Sequence, residues 1–163
     1  MFGVILVIVG WLEFAYAKLM RFKRESRENW MKIESMLKAR AASILTLLEE
    51  IHEEGILEPE MEAIFDLGGG LCQSEDRDQI AEQSEKVTPL LYSLFEKLNR
   101  KGSHSVAVEE IKEMDLELVN MSRRFNESIQ AHNDIIRLKK YKFQIMILRP
   151  EVLRDFQINR QMQ

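Results

Sequence analysis

Between Lys18 and Glu50 the chain contains neither proline nor glycine. Proline removes a backbone donor and crowds the preceding turn, and glycine carries the largest backbone entropy cost in a helix. A stretch that avoids both for thirty-odd residues predicts one long helix. Within it Trp30, Ile33, Leu37, Ala41, Ile44, Leu48 and Ile51 recur every three or four positions, which puts them on one helical face. Lys32, Lys38, Glu49 and Glu53 fall off that face. Only 3 prolines and 7 glycines occur in 163 residues, so little turn material is available anywhere. Hydrophobic residues at 45% and charged residues at 31% suit a packed helical protein.

The segment ahead of this helix is apolar: Phe2, Val4, Ile5, Leu6, Val7, Ile8, Val9, Trp11 and Leu12. Counting on past Glu13 to Met20 gives about the ~20 residues that cross ~30 Å of hydrocarbon. Residues 1–20 are therefore expected to form a single transmembrane helix continuous with the one that follows. Glu13 is expected to be an interfacial acid that snorkels or is protonated. Lys18, Arg21, Lys23, Arg24 and Arg27 follow the apolar run and none precedes it. Basic residues stay on the cytoplasmic side, so the N-terminus is expected outside and the bulk of the chain in the cytoplasm, at the inner membrane. Ala15-Tyr16-Ala17 has the form of a signal cleavage site, but the run lacks the basic front such a signal carries. Residues 1–27 are expected to meet membrane lipid, the basic cluster contacting anionic headgroups.

The acids Glu49, Glu50, Glu53 and Glu54 precede Gly55 and are poor partners for a helix C-terminus, so fraying is expected there. A short second helix carries Leu57, Met61, Ile64 and Phe65, with Pro59 in its first turn. Gly68-Gly69-Gly70 is expected to end it as a flexible connector. A third helix is expected from near Ser74, its face formed by Ile80, Ser84, Val87, Leu91, Leu94 and Leu98. At Pro89 either that helix kinks or Thr88 caps a fresh one. Gly102 closes it. The last helix starts near Ser105, with Val108, Ile111, Met114, Leu118, Met121, Phe125, Ile129, His132 and Ile136 on one face. Residues 149–163 are expected to be a mobile tail in which Val152, Leu153 and Phe156 are able to dock.

The net charge of −4 speaks against a nucleic-acid binder, which presents a basic face. The single cysteine, Cys72, rules out an intrachain disulfide framework. Glu49-x-x-His52 has the spacing of a di-iron carboxylate site, but no second copy occurs. No catalytic, metal or cofactor constellation emerges. His132 is expected to be a hydrogen-bonded core histidine, and Met31, Met36, Met114 and Met121 to fill the core. Asn126 and Asn133, seven apart and on one face, are expected either to bond the first helix and fix its register or to be exposed. Arg123 and Arg124 are expected to pair with acids such as Glu49, Glu50 or Glu53.

Two segments together resemble the LemA family. One runs through Asn29-Trp30, Ile33, Leu37-Lys38 and Arg40 to Leu47-Leu48-Glu49; the other through Arg123-Arg124-Phe125-Asn126, Ile129 and His132-Asn133 to Ile136-Arg137. The chain departs from the family at Ala42-Ser43-Ile44-Leu45-Thr46, at His132 in place of a tyrosine, and at Lys139-Lys140. The resemblance implies a short outer N-terminus, one membrane helix and an elongated antiparallel cytoplasmic bundle. The expected fold is all-α: a transmembrane helix continuing into three long helices and one short one, with the bundle in residues 21–148. The expected function is a membrane-anchored scaffold for an unidentified protein partner, with homo-oligomerisation as a further expectation. The other classes considered are a small membrane-associated hydrolase or metal-binding enzyme, and a self-associating membrane-shaping protein.

Overall fold

The computed structural model describes residues 2–56, 58–102, 104–138, 145–147 and 149–156, without the side chains of residues 2–8, Leu12, Ala15 and Lys101. The protein is helical, and no strand occurs among the described residues. Four helices follow in order: α1 (Phe2–Glu53), α2 (Glu60–Gln73), α3 (Arg77–Lys101) and α4 (Ser105–Arg137). Three are long and α2 is short, as expected.

The 52 residues of α1 form one unbroken helix, the direct consequence of a stretch without breakers. Among the described residues, no helix is long and apolar enough to cross a membrane. Most of the apolar run that motivates the expected span, from Phe2 to Ile8, lies outside the described side chains.

The end of α1 is closed, not frayed. Gly55 adopts φ +75°, its N–H donates to His52 O at 2.9 Å, and the Ile56 N–H donates to Ile51 O at 3.2 Å. This is a Schellman closure, with Ile56 packing against the core as the motif favours. His104 sits beside the acids, with Nε2 at 3.0 Å from Glu54 and Nδ1 at 3.7 Å from Glu50.

The three glycines do not end α2. They lie inside it, and the helix continues to Gln73. A Cβ on Gly68 would stand 3.3 Å from Leu45 Cδ2, so the missing side chain allows α2 to approach α1 closely. The start of α3 is also later than expected. Ser74 ends α2, donating its N–H to Gly70 O, and Asp76 caps α3, accepting from the Asp78 and Gln79 N–H groups at 2.8 and 3.1 Å. Pro89 neither breaks α3 nor marks a new start. Thr88 is not a cap; its hydroxyl donates to Ser84 O at 2.7 Å from within the helix.

The chain divides into two compact units, one of Met1–Met31 with Arg123–Phe156, the other of Lys32–Ser122. Both α1 and α4 contribute to each. In the Lys32–Ser122 unit, Ile44, Leu47, Leu48 and Ile51 of α1 pack with Ile64 of α2, Val87, Leu91, Leu94 and Leu98 of α3 and Val108 and Ile111 of α4. All but Leu47 lie on the expected stripes. In the other unit, Leu19 of α1 packs with Ile135 of α4, joined by Phe22, Ile136 and Ile145. Met31 is 60% exposed and is not core filler.

Candidate functional site

Two polar arrangements interrupt the apolar packing, one in each unit. The first joins α1, α3 and α4 in the Lys32–Ser122 unit. Arg40 and Asp115 are each only 1% exposed. Both positions fall on apolar stripes, Arg40 between Leu37 and Ile44, Asp115 between Ile111 and Leu118. Two opposite charges carried on the buried faces of different helices must meet, because either one alone in the core would be prohibitively unfavourable. They do meet. Arg40 Nε stands 2.5 Å from Asp115 Oδ1, a charge contact not aligned as a hydrogen bond. Arg40 Nη2 donates at 3.4 Å to both Asp115 Oδ2 and Thr88 Oγ1. The Tyr92 hydroxyl donates to Asp115 Oδ2 at 3.1 Å. Burial raises the Asp115 pKa above the ordinary carboxylate range, opposed by Arg40. Burial also pushes the Tyr92 hydroxyl up to about 12, reinforced by the Asp115 charge.

The second arrangement holds the C-terminal segment in the other unit. Residues 151–156 are not a free tail. The Asn126 side chain donates Nδ2–H to Phe156 O at 2.6 Å and accepts the Phe156 N–H on Oδ1 at 2.9 Å. Asn133 does the same with Leu153, at 2.9 and 3.0 Å. The asparagines therefore bond the tail backbone, not the first helix. The expected buried histidine is present: His132 is 3% exposed and donates Nε2–H to Glu151 O at 3.1 Å. Its Nδ1 is buried without a hydrogen-bond partner among the described residues. Phe156 is 5% exposed. Its ring meets Trp30 edge-on at 5.2 Å between centroids, and Trp30 meets Phe125 at 5.9 Å. Leu153 is half-buried and Val152 exposed. Residues 157–163 of the expected mobile tail lie outside the described residues.

The remaining candidates are dispersed. Trp11, Glu13, Lys18, Arg21, Lys23, Arg24 and Arg27 are exposed along α1, and the last four line a shallow groove of about 440 Å³ with Ala17 and Met20. Asn29 is half-buried, Lys38 pairs with Glu34 at 2.8 Å, and Ile33 and Leu37 are core. Arg123 and Arg124 are exposed. Glu49 and His52 line an open apolar hollow of about 480 Å³ with Leu48, Pro59, Met61 and Phe65. Among the described residues no group of three or more His, Cys, Asp or Glu is placed to hold a metal ion. Cys72 is half-buried, with Sγ 3.9 Å from Lys38 O.

Asp115 escapes a motif search because it belongs to no motif, although a charge on an apolar stripe is a legible signal. The tail contact escapes because its partners are backbone groups, which every residue carries. Comparison with protein-family models, with curated proteins and with solved structures finds no match.

Proposed function

We propose that this chain is a membrane-anchored helical scaffold of the LemA type. Residues 1–20 would enter the cell inner membrane with the N-terminus outside, and the helical bundle would present its surface to protein partners in the cytoplasm. The observation that carries the reading is the described part of α1 from Val9 to Met20. Val9, Trp11, Phe14, Tyr16 and Met20 are 42–63% exposed, a concentration of bare apolar and aromatic side chains that favours lipid over water. The exposed Lys18, Arg21, Lys23, Arg24 and Arg27 begin where that band ends, the order that sets topology and meets anionic headgroups. The family resemblance is supported by the packing of Trp30, from its first motif, on Phe125, from its second.

Membrane fractionation of cells expressing the full chain tests the anchor. The protein is expected to stay in the membrane pellet after carbonate extraction, with the bundle degraded by protease only once the inner membrane is opened. Release into the carbonate supernatant, or bundle degradation in intact spheroplasts, would overturn it. A pulldown from detergent extract that recovers no partner above background would count against the scaffold role.

A further inference from the structure

The chain's own residues 151–156 are held on α4 the way a binding domain holds an extended peptide. Each asparagine engages both the N–H and the C=O of a single tail residue. That is the double exchange a residue makes with its opposite in an antiparallel sheet, here offered by a side-chain amide. The spacing is matched. Asn126 and Asn133 are seven helical residues apart, about 10.5 Å at a rise of 1.5 Å. Leu153 and Phe156 are three residues apart, a span of about 10 Å for an extended segment at 3.3 Å each. Two amides on one helix therefore read two peptide units of a strand running the opposite way, and His132 takes a third contact at Glu151 O.

The recognition makes few demands on sequence. The side chains of Glu151, Val152 and Asp155 are exposed. What the site selects is an aromatic ring against Trp30 at the Phe156 position, and a backbone N–H at both the Leu153 and Phe156 positions, which excludes proline. We propose that this face of α4 is a peptide-recognition groove. It is closed in cis by residues 151–156, and it receives in trans an extended segment of a partner protein with an aromatic residue at the Phe156 position and no proline at either anchor. The inference rests on the scaffold reading only in taking the partner to be a protein. The exchange is chemically even, because an incoming segment remakes the same backbone bonds that the tail gives up. The tail holds the site through its tether, which gives a short linked segment an effective concentration on the order of mM.

The test uses the full chain and a fluorescent octapeptide of residues 149–156, read by polarisation. Phe156→Ala removes the ring that seats the tail, so the labelled peptide is expected to bind this variant at least about tenfold more tightly than the parent chain, as the cis competitor is lost. Adding Asn126→Ala and Asn133→Ala is expected to abolish the binding, as is proline at either anchor position of the peptide. In the parent chain, mM unlabelled peptide is expected to accelerate amide exchange at Leu153 and Phe156, a readout that needs no variant. A Phe156→Ala protein with parental helix content and no peptide binding would overturn the proposal, as would binding indifferent to the two asparagines or unchanged exchange in the parent. A stable dimer of the parent chain that Phe156→Ala dissolves would assign the groove to a second copy and overturn the partner reading. Carbonate extraction and pulldown read out separately from all of these, so the groove and the anchor fail independently.

Discussion

The two polar arrangements of this protein use buried hydrogen bonding in opposite ways. The Arg40–Asp115 pair ties three helices together through full charges that are 1% exposed. Its partners are side chains, so it specifies which helices meet and at what register. The Asn126 and Asn133 contacts use neutral amides directed at backbone, and they attach an extended segment to a helix that is already formed. A charge pair in a core cannot be opened without stranding an ion. An amide–backbone contact at a half-buried edge opens into water at the modest net worth of ordinary hydrogen bonds. The first arrangement is built to stay; the second is built to exchange.

This contrast is open to direct attack. The largest effect is expected from Asp115→Asn, which leaves Arg40 charged in the core: urea denaturation is expected to show a loss of about 3–5 kcal/mol. Combining Arg40→Met with Asp115→Leu is expected to recover most of it. An equal loss in the double variant would show that the helices depend on the pair itself, not on avoiding a stranded charge. Next comes Phe156→Ala. It removes a buried ring worth about 1.5–3 kcal/mol, but the loss is expected in hydrogen-exchange protection of residues 153–156, with the global urea midpoint unchanged. A matching fall in the global midpoint would make the tail part of the cooperative core and erase the distinction. Asn133→Ala is expected to lower the same local protection by about 1–2 kcal/mol, the net value of two hydrogen bonds.

The smallest effect appears only in alkali. The folded state holds the Tyr92 hydroxyl neutral, moving its pKa from 10.0 to about 12. A raised pKa means the stabilisation is complete below the unfolded value and declines as pH rises through the folded one. Stability is therefore expected to fall between pH 10 and about 12, and Tyr92→Phe to remove that component. A profile identical in both proteins would show that folding does not hold the Tyr92 hydroxyl neutral. Asp115 has the same sign, since burial raises it: its contribution is present in acid and declines as pH rises through its folded value.

Much of the helical frame was legible in advance. The unbroken α1, the faces of α3 and α4, and the glycine ends at Gly55 and Gly102 follow from period and punctuation, which are local. The errors were also local in origin. Three consecutive glycines have the local propensity of a connector, and only the packing of Leu45 against Gly68 keeps them helical. Of the two readings of Pro89, a fresh start at Thr88 is excluded, because α3 runs through the proline. The candidate site was legible in its ingredients only. The sequence places Asn126 and Asn133 on a shared face of α4, His132 on its apolar stripe, and Leu153 and Phe156 in a tail able to dock, but it does not pair them with one another.

By itself, then, the order of residues determined where helices run and which of their faces are apolar, because both depend on neighbours three and four positions away. Only the folded packing decided that Arg40 meets Asp115 across 75 positions, and that two asparagines grip the chain's own C-terminal segment and not another helix. Those choices depend on which distant groups arrive at the same place, and an amide that bonds a backbone carries no mark in the sequence of its partner.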